Sequence, residues 1–218
     1  YGIQASASYV TISSVNVDSG GNITVAGISL QGYSSVAESS VTVQSANGIT
    51  LDGSNNTVSY SSITSASSAD AFVLDSSSAN TITRSFITNS SGRALNLDAS
   101  HNNTVSYSTI TTSAADTPAL HALNSSSNAF TQNYISNPAG LAVIFNTASN
   151  STISFSTLTA NNATNAAMAL TNSTFNTITQ NYISNPAGVA ASIINGSNNN
   201  TVSYSTITNA SANNPAVN

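Results

Sequence analysis

The sequence predicts an all-β chain: one right-handed parallel β-helix, with about 24 residues and three short strands per coil. Three observations predict it. Long words recur at a fixed distance, apolar residues fall into columns on that same spacing, and the 3.6-residue periodicity of helices is missing. The word TQNYISNPAG at 131–140 returns letter for letter at 179–188, and TVSYSTIT at 104–111 returns at 201–208. Aligning the residue before each Thr-aliphatic pair gives Asn56, Asn80, Asn103, Asn128, Ser151, Asn176 and Asn200, in steps of 24, 23, 25, 23, 25 and 24. A period of that length is the signature of a solenoid.

The first strand follows the marker, with Val58, Ile82, Val105, Phe130, Ile153, Ile178 and Val202 two residues on. The second carries Ile63, Ile87, Ile110, Ile135, Leu158, Ile183 and Ile207, seven residues on. A third column precedes the next marker and reads Leu51, Leu74, Leu97, Leu123, Phe145, Leu170 and Ile194. β-branched and aliphatic residues in runs this short, punctuated by Asn, Ser and Gly, suit strands better than helices. With a rise of about 4.8 Å per coil, nine coils make a rod of roughly 40 Å. The marker column, Asn56, Asn80, Asn103, Asn128, Asn176 and Asn200, is expected to stack as a ladder of polar side chains at a buried corner.

The pattern resembles the parallel β-helix repeat of periplasmic copper-maturation β-helix proteins and of pectate-lyase-like surface proteins. Asn128-Ala129-Phe130-Thr131-Gln132-Asn133-Tyr134-Ile135 and Asn176-Thr177-Ile178-Thr179-Gln180-Asn181-Tyr182-Ile183 carry it best. The resemblance implies the fold over about 45–218 and no particular activity, because this architecture hosts many functions. Copper chemistry is not carried over: Met168 is the single Met and there is no Cys. Residues 1–44 fit the repeat less well and read as irregular first coils or an N-terminal docking element, with 45–218 as the regular array.

Composition narrows the partners. Charged residues make up 4% of the 218, against about 25% in an ordinary soluble domain. Lys is absent and Arg84 and Arg93 are the only permanent cations, so a phosphate backbone finds no basic patch and nucleic acid is excluded. No apolar run reaches the roughly 18 residues of a membrane span. A start at Tyr1 rather than Met suits a mature product, and with the polar, uncharged composition it places the chain outside the cell or on its surface.

Catalysis is not expected. Glycoside hydrolysis needs two carboxyl groups held across a bond. Asp52, Asp75 and Asp98 instead recur 23 residues apart at one turn position, later filled by Asn124, Asn146, Thr171 and Asn195. Asn and Asp both cap backbone amides, so the column reads as turn-capping. Calcium between stacked carboxylates at Asp52, Asp75 and Asp98 is the one cofactor the sequence leaves open; otherwise none is expected. His121 reads as a neutral core residue in the inward column of Ile49, Phe72, Leu95 and Val143, and His101 as a solvated turn residue. Asp116 neighbours His121 in sequence only.

The surface carries the remaining signal. The two aliphatic columns lie an odd number of residues apart, so a corner stands between them, at Ser61, Ser85, Ser108, Asn133, Ser156, Asn181 and Ser205. Its flanks hold Tyr60, Phe86, Tyr107, Tyr134, Phe155, Tyr182 and Tyr204, which alternate between two positions and predict a zigzag stripe of exposed aromatics. The leading functional expectation is an extracellular structural subunit, a filament built by head-to-tail stacking of copies through unsealed rims. A glycan-gripping adhesin rod is the alternative. An ice-binding solenoid follows, from hydroxyl ladders such as Thr57, Ser59, Thr104, Ser106, Thr177 and Thr179.

Overall fold

The computed structural model describes residues 1–115 and 117–218, and Asp116 lies outside the described residues. The chain is an all-β solenoid of nine coils. Each coil contributes one strand to each of three nine-stranded parallel sheets, called A, B and C in chain order. Coil 1 comprises Ile3–Ala5, Thr11–Ser13 and Asn16–Asp18; coil 9 comprises Ala191–Ile194, Thr201–Ser203 and Thr206–Thr208. Every strand pairs in sheet order with its counterparts in the adjoining coils, without a slip of register.

Inward rows of the three sheets meet in one continuous core. Val58, Ile82, Val105, Phe130, Ile153 and Ile178 form one row from sheet B; Ile63, Ile87, Ile110, Ile135, Leu158 and Ile183 form the row from sheet C. The sheet A row differs from the spacing-based column at two places. Ala122 stacks between Leu97 and Phe145, and Ile193 pairs with Leu170, so Leu123 and Ile194 point outward. The small Ala122 faces inward where two large rings need space: Phe130 and Phe145 lie 5.7 Å apart, ring centre to centre. The same one-residue correction applies to the Asp column, whose later members are Leu123, Asn146, Thr171 and Ile194.

Residues 3–43 supply coils 1 and 2 of the same three sheets. The step from coil 2 to coil 3 is short, Ser35 to Thr57 in sheet B being 22 residues. That shortening, rather than a different fold, obscures the repeat there.

Two buried polar ladders close the corners of sheet B. At the A/B corner the side-chain oxygen of each marker accepts the backbone N–H of the marker one coil earlier: Asn56 to Asn80 at 2.8 Å, Asn80 to Asn103 at 2.9 Å, Asn103 to Asn128 at 2.9 Å. Ser151 takes the same part for Asn128 at 3.1 Å, and Asn176 to Asn200 completes the series at 2.8 Å. Direct amide-to-amide bonds join Asn80 to Asn103, Asn103 to Asn128 and Asn176 to Asn200, each at 3.1 Å. At the B/C corner Ser61, Ser85, Ser108, Asn133, Ser156, Asn181 and Ser205 do likewise, from Ser85 accepting Ser61 N–H at 3.3 Å to Ser205 accepting Asn181 N–H at 3.1 Å. Turns that would bury unsatisfied amides are thereby supplied with acceptors and no charge.

Candidate functional site

The B/C corner turns through one residue per coil in the left-handed region. Those residues are Ser14, Glu38, Tyr60, Arg84, Tyr107, Gln132, Phe155, Gln180 and Tyr204, with φ between 48° and 56°. The next residue turns inward to form the ladder, and the one after begins sheet C with its side chain outward. Tyr60, Tyr107, Phe155 and Tyr204 project from the corner of coils 3, 5, 7 and 9. Phe86, Tyr134 and Tyr182 project from the first sheet C position of coils 4, 6 and 8. All seven are exposed, from 45% at Tyr134 and Tyr182 to 90% at Tyr204. They form a zigzag ridge along the rod, one ring per coil.

Arg84 fills the corner between two of these rings. Its guanidinium carbon lies 5.5 Å from the Tyr60 ring centre and 5.1 Å from that of Tyr107. Two cation–π contacts thus hold one of the chain's two permanent cations in place. The Tyr134 hydroxyl meets Thr159 Oγ1 at 3.5 Å, and the Tyr182 hydroxyl meets Thr208 Oγ1 at 3.5 Å. Hydrogen bonds from Thr159 and Ser136 hold the Tyr134 phenol below its usual pKa, and those from Thr208 and Ser184 do so for Tyr182. Both rings are therefore tethered along sheet C. Beyond the ridge, Tyr1 is exposed ahead of the first strand and three exposed aromatics lie at the A/B corner, where Tyr9 and Tyr33 stack at 5.2 Å and Phe175 stands alone in coil 8.

A second cluster sits on the outer face of sheet A. His121 is not in the inward column; it pairs laterally with Asn96 and Ile144, while Leu120 takes the core position. It is nevertheless buried, and its Nδ1 lies 3.2 Å from Asn96 Oδ1. Burial, reinforced by the nearby Arg93 charge, lowers its pKa to about 4. Arg93 donates to Asp70 Oδ2 at 3.3 Å, an ion pair between adjoining coils, so Arg93 is not solitary either. Burial raises the Asp70 pKa against the opposing pull of Arg93 and Asn96. The 23-residue separation of Asp70 and Arg93 equals one coil, which is the signal that could have joined them in the sequence.

Asp52, Asp75 and Asp98 stack in successive coils; Asp52 accepts the Ser29 hydroxyl at 2.9 Å and Asp75 that of Ser76 at 3.0 Å. Among the described residues no group of three His, Cys, Asp or Glu converges as a metal site. His101 Nδ1 accepts the Ser126 N–H at 3.1 Å, bridging two coils rather than standing free in solvent.

Asn89, Asn137 and Asn185, missed in the sequence, organise the return from sheet C to sheet A in alternate coils. Asn137 Nδ2 donates to the carbonyls of Ala114 and Thr117 at 2.9 and 2.8 Å, and its Oδ1 accepts Ala139 N–H at 3.0 Å. Their 48-residue spacing was visible in the copied word ending in Asn-Pro-Ala-Gly.

This geometry coincides with two family profiles. Residues 2–139 match the family described as periplasmic copper-binding protein (NosD), and 113–216 match the right handed beta helix region. The chain belongs to the NosD family. NosD membership points to a location outside the cytoplasm. Comparison with curated proteins returns no match. Among solved structures, DFA-IIIase from Arthrobacter chlorophenolicus A6 without its lid aligns with a TM-score of 0.67 at 12% identity, covering 88% of this chain and 50% of that one. The enzymatically active domain of bacteriophage CBA120 tailspike protein 2 aligns with a TM-score of 0.57 at 12% identity, covering 83% of this chain and 37% of that one. The chain thus spans about half or less of these structures, and at such identity the likeness is one of fold. No helix among the described residues is long and apolar enough to cross a membrane.

Proposed function

We propose that this chain is an extracellular structural protein of the cell surface, a rod that acts through its surfaces rather than through a reaction, and that copies associate end to end. The observation that carries the reading is the self-stacking of the coils, each of which rests its inward rows on a near copy of itself in unbroken register. The core rows are fully buried at Ile178 and Ile183 in coil 8, yet Val202 is 38% exposed and Ile193 and Ile207 are only partly covered. In sheet A the residues 216–218 already pair with Ala191 and Ile193, whereas Val202 and Ile207 in sheets B and C present apolar side chains on which another rung can pack. Within this molecule each rung already packs on a near copy of itself, and a second copy presents Ala5, Ile12 and Val17 in the same three rows. A non-catalytic role is supported by the Asp column, where Leu123 and Ile194 stand in for carboxylates. Sedimentation velocity and negative-stain microscopy test the association. Rods several times the roughly 40 Å of nine coils, growing with concentration, are expected, and Val202→Lys should abolish them. A monodisperse single rod at every concentration, or assembly untouched by Val202→Lys, overturns it.

A second reading, ice binding, is favoured by sheet B. Its two outward rows hold Ser or Thr at 16 of 18 positions, Ala37 and Ala129 being the exceptions. Cross-coil bonds such as Ser106 to Thr83 at 3.0 Å orient part of this array. A thermal-hysteresis assay decides it, activity that disappears in Thr104→Leu/Thr152→Leu supporting the reading and its absence in the native chain refuting it.

A further inference from the structure

We infer that the corner between sheets B and C is a polysaccharide-binding track. The inference concerns a different face from the end-to-end reading and stands or falls apart from it. It begins with a contrast between two corners that make the same demand on the backbone. At the A/B corner the left-handed position is Tyr9, Tyr33, Asn55, Ala79, Asn102, Ser127, Asn150, Phe175 and Asn199, four of nine being Asn, the side chain best suited to that conformation after glycine. The B/C corner contains no Asn or Gly among its nine. In coils 3, 5, 7 and 9 it holds Tyr60, Tyr107, Phe155 and Tyr204, for which a positive φ is unfavourable. Across coils 3 to 9 the B/C corner accepts this strain at four aromatics and the A/B corner at one, Phe175, and that excess points to what the side chains do outside the fold.

The arrangement specifies the ligand class. Rings follow one another at one coil rise, about 4.8 Å, and return to the same column every second coil, about 10 Å apart. An extended chain of pyranose rings lying along the rod presents apolar C–H faces at a comparable repeat. Rows of Ser and Thr flank the ridge on both sheets and can meet its hydroxyls. From coil 3 to coil 9 the two aromatic columns carry no carboxylate and a single charge, Arg84. The ligand is therefore a polysaccharide of predominantly neutral sugars, with Arg84 offering an added hold on an occasional acidic sugar at coil 4.

Affinity electrophoresis through gels containing hydroxyethyl cellulose, xylan or polygalacturonate tests this on the full chain. The native protein should be retarded by at least one neutral polymer. Tyr107→Asn/Tyr134→Thr introduces residues the chain already uses in such places, Asn at the left-handed position of the A/B corner and Thr at Thr109 and Thr157 in the column of Tyr134 itself. It should weaken binding at least tenfold while the thermal midpoint stays level or rises. Arg84→Gln, mirroring Gln132 and Gln180, should reduce retardation by polygalacturonate and leave the neutral polymers unchanged. Absence of retardation by both neutral polymers, or a double variant that binds like the native chain, overturns the proposal. An unretarded native chain that instead captures another protein through this ridge overturns it equally.

Discussion

Replacing Asn103 by alanine isolates what the stacked amides contribute. Asn103 Oδ1 accepts the buried Asn80 N–H at 2.9 Å and the Asn80 side-chain amide at 3.1 Å, and its own Nδ2 donates to Asn128 Oδ1 at 3.1 Å. Alanine removes these three bonds and a longer one of 3.3 Å from Nδ2 to the Ser77 carbonyl, which keeps the His101 N–H, so only the Asn80 N–H is left without any acceptor. The Asn80 side chain keeps Ser77 Oγ at 3.1 Å, and Asn128 Oδ1 keeps the backbone N–H of residue 103 at 2.9 Å. One orphaned buried amide costs about 2 kcal/mol and each bond with a surviving alternative about 0.5, so Asn103→Ala is expected to destabilise by about 3 kcal/mol. Asn103→Ser should cost only about 1 kcal/mol, because Ser151 performs the same task at the same corner with Asn128 N–H at 3.1 Å. Each coil of a solenoid touches only its neighbours, so the loss is local and best read residue by residue. Native-state hydrogen exchange should show the Asn80 amide opening about 30-fold faster in the alanine variant than in the serine variant. Equal exchange in the two variants, or an unchanged Asn80 amide in Asn103→Ala, would refute the reasoning.

Acid should weaken the fold through His121. Its folded pKa of about 4 lies below the ordinary imidazole value of 6.5, so the unfolded chain takes up the proton first; stability is full above pH 6.5 and falls until about pH 4, by about 2 kcal/mol after allowing for partial solvent access. Raised Asp70 works in the opposite sense as it protonates, and His121→Gln, measured by denaturant titration at several pH values, should remove the histidine part of the slope. Ala148 interrupts a third ladder in which Ser100 and Ser125 accept the amides of Ser77 and Ser100 at 3.1 and 3.0 Å, so Ala148→Ser should supply the Ser125 amide and raise stability by about 1 kcal/mol in urea unfolding. Gly140→Ala should lower stability by about 1–3 kcal/mol in the same assay, because the added Cβ would stand 2.5 Å from the Ala115 carbonyl oxygen.

Rows whose side chains repeat every coil were readable because a parallel ladder forces equivalent residues to stack, and Val58, Ile82 and Val105 preserve both chemistry and offset. Reading failed where chemistry and offset disagree. Leu123 was the attractive core residue, yet the count to Asn128 puts Ala122 inside, and only the paired rings of Phe130 and Phe145 explain why a small side chain suffices there. His121 was misplaced by that same residue. The Arg93–Asp70 pair and the Arg84 stack were hidden for another reason. They join side chains in successive coils without recurring along the array, so no column announces them.

The alternation of the aromatic ridge has a consequence for how such a molecule can lengthen. Its unit of growth is two coils: the copied words at 131–140 and 179–188 start 48 residues apart, and each carries the same Gln-then-Tyr phase. Inserting a single coil would keep every strand paired, yet it would seat two like rings side by side and break the zigzag. Duplication in even numbers extends the rod and its pattern together, so length and surface rhythm in this chain are inherited as one property.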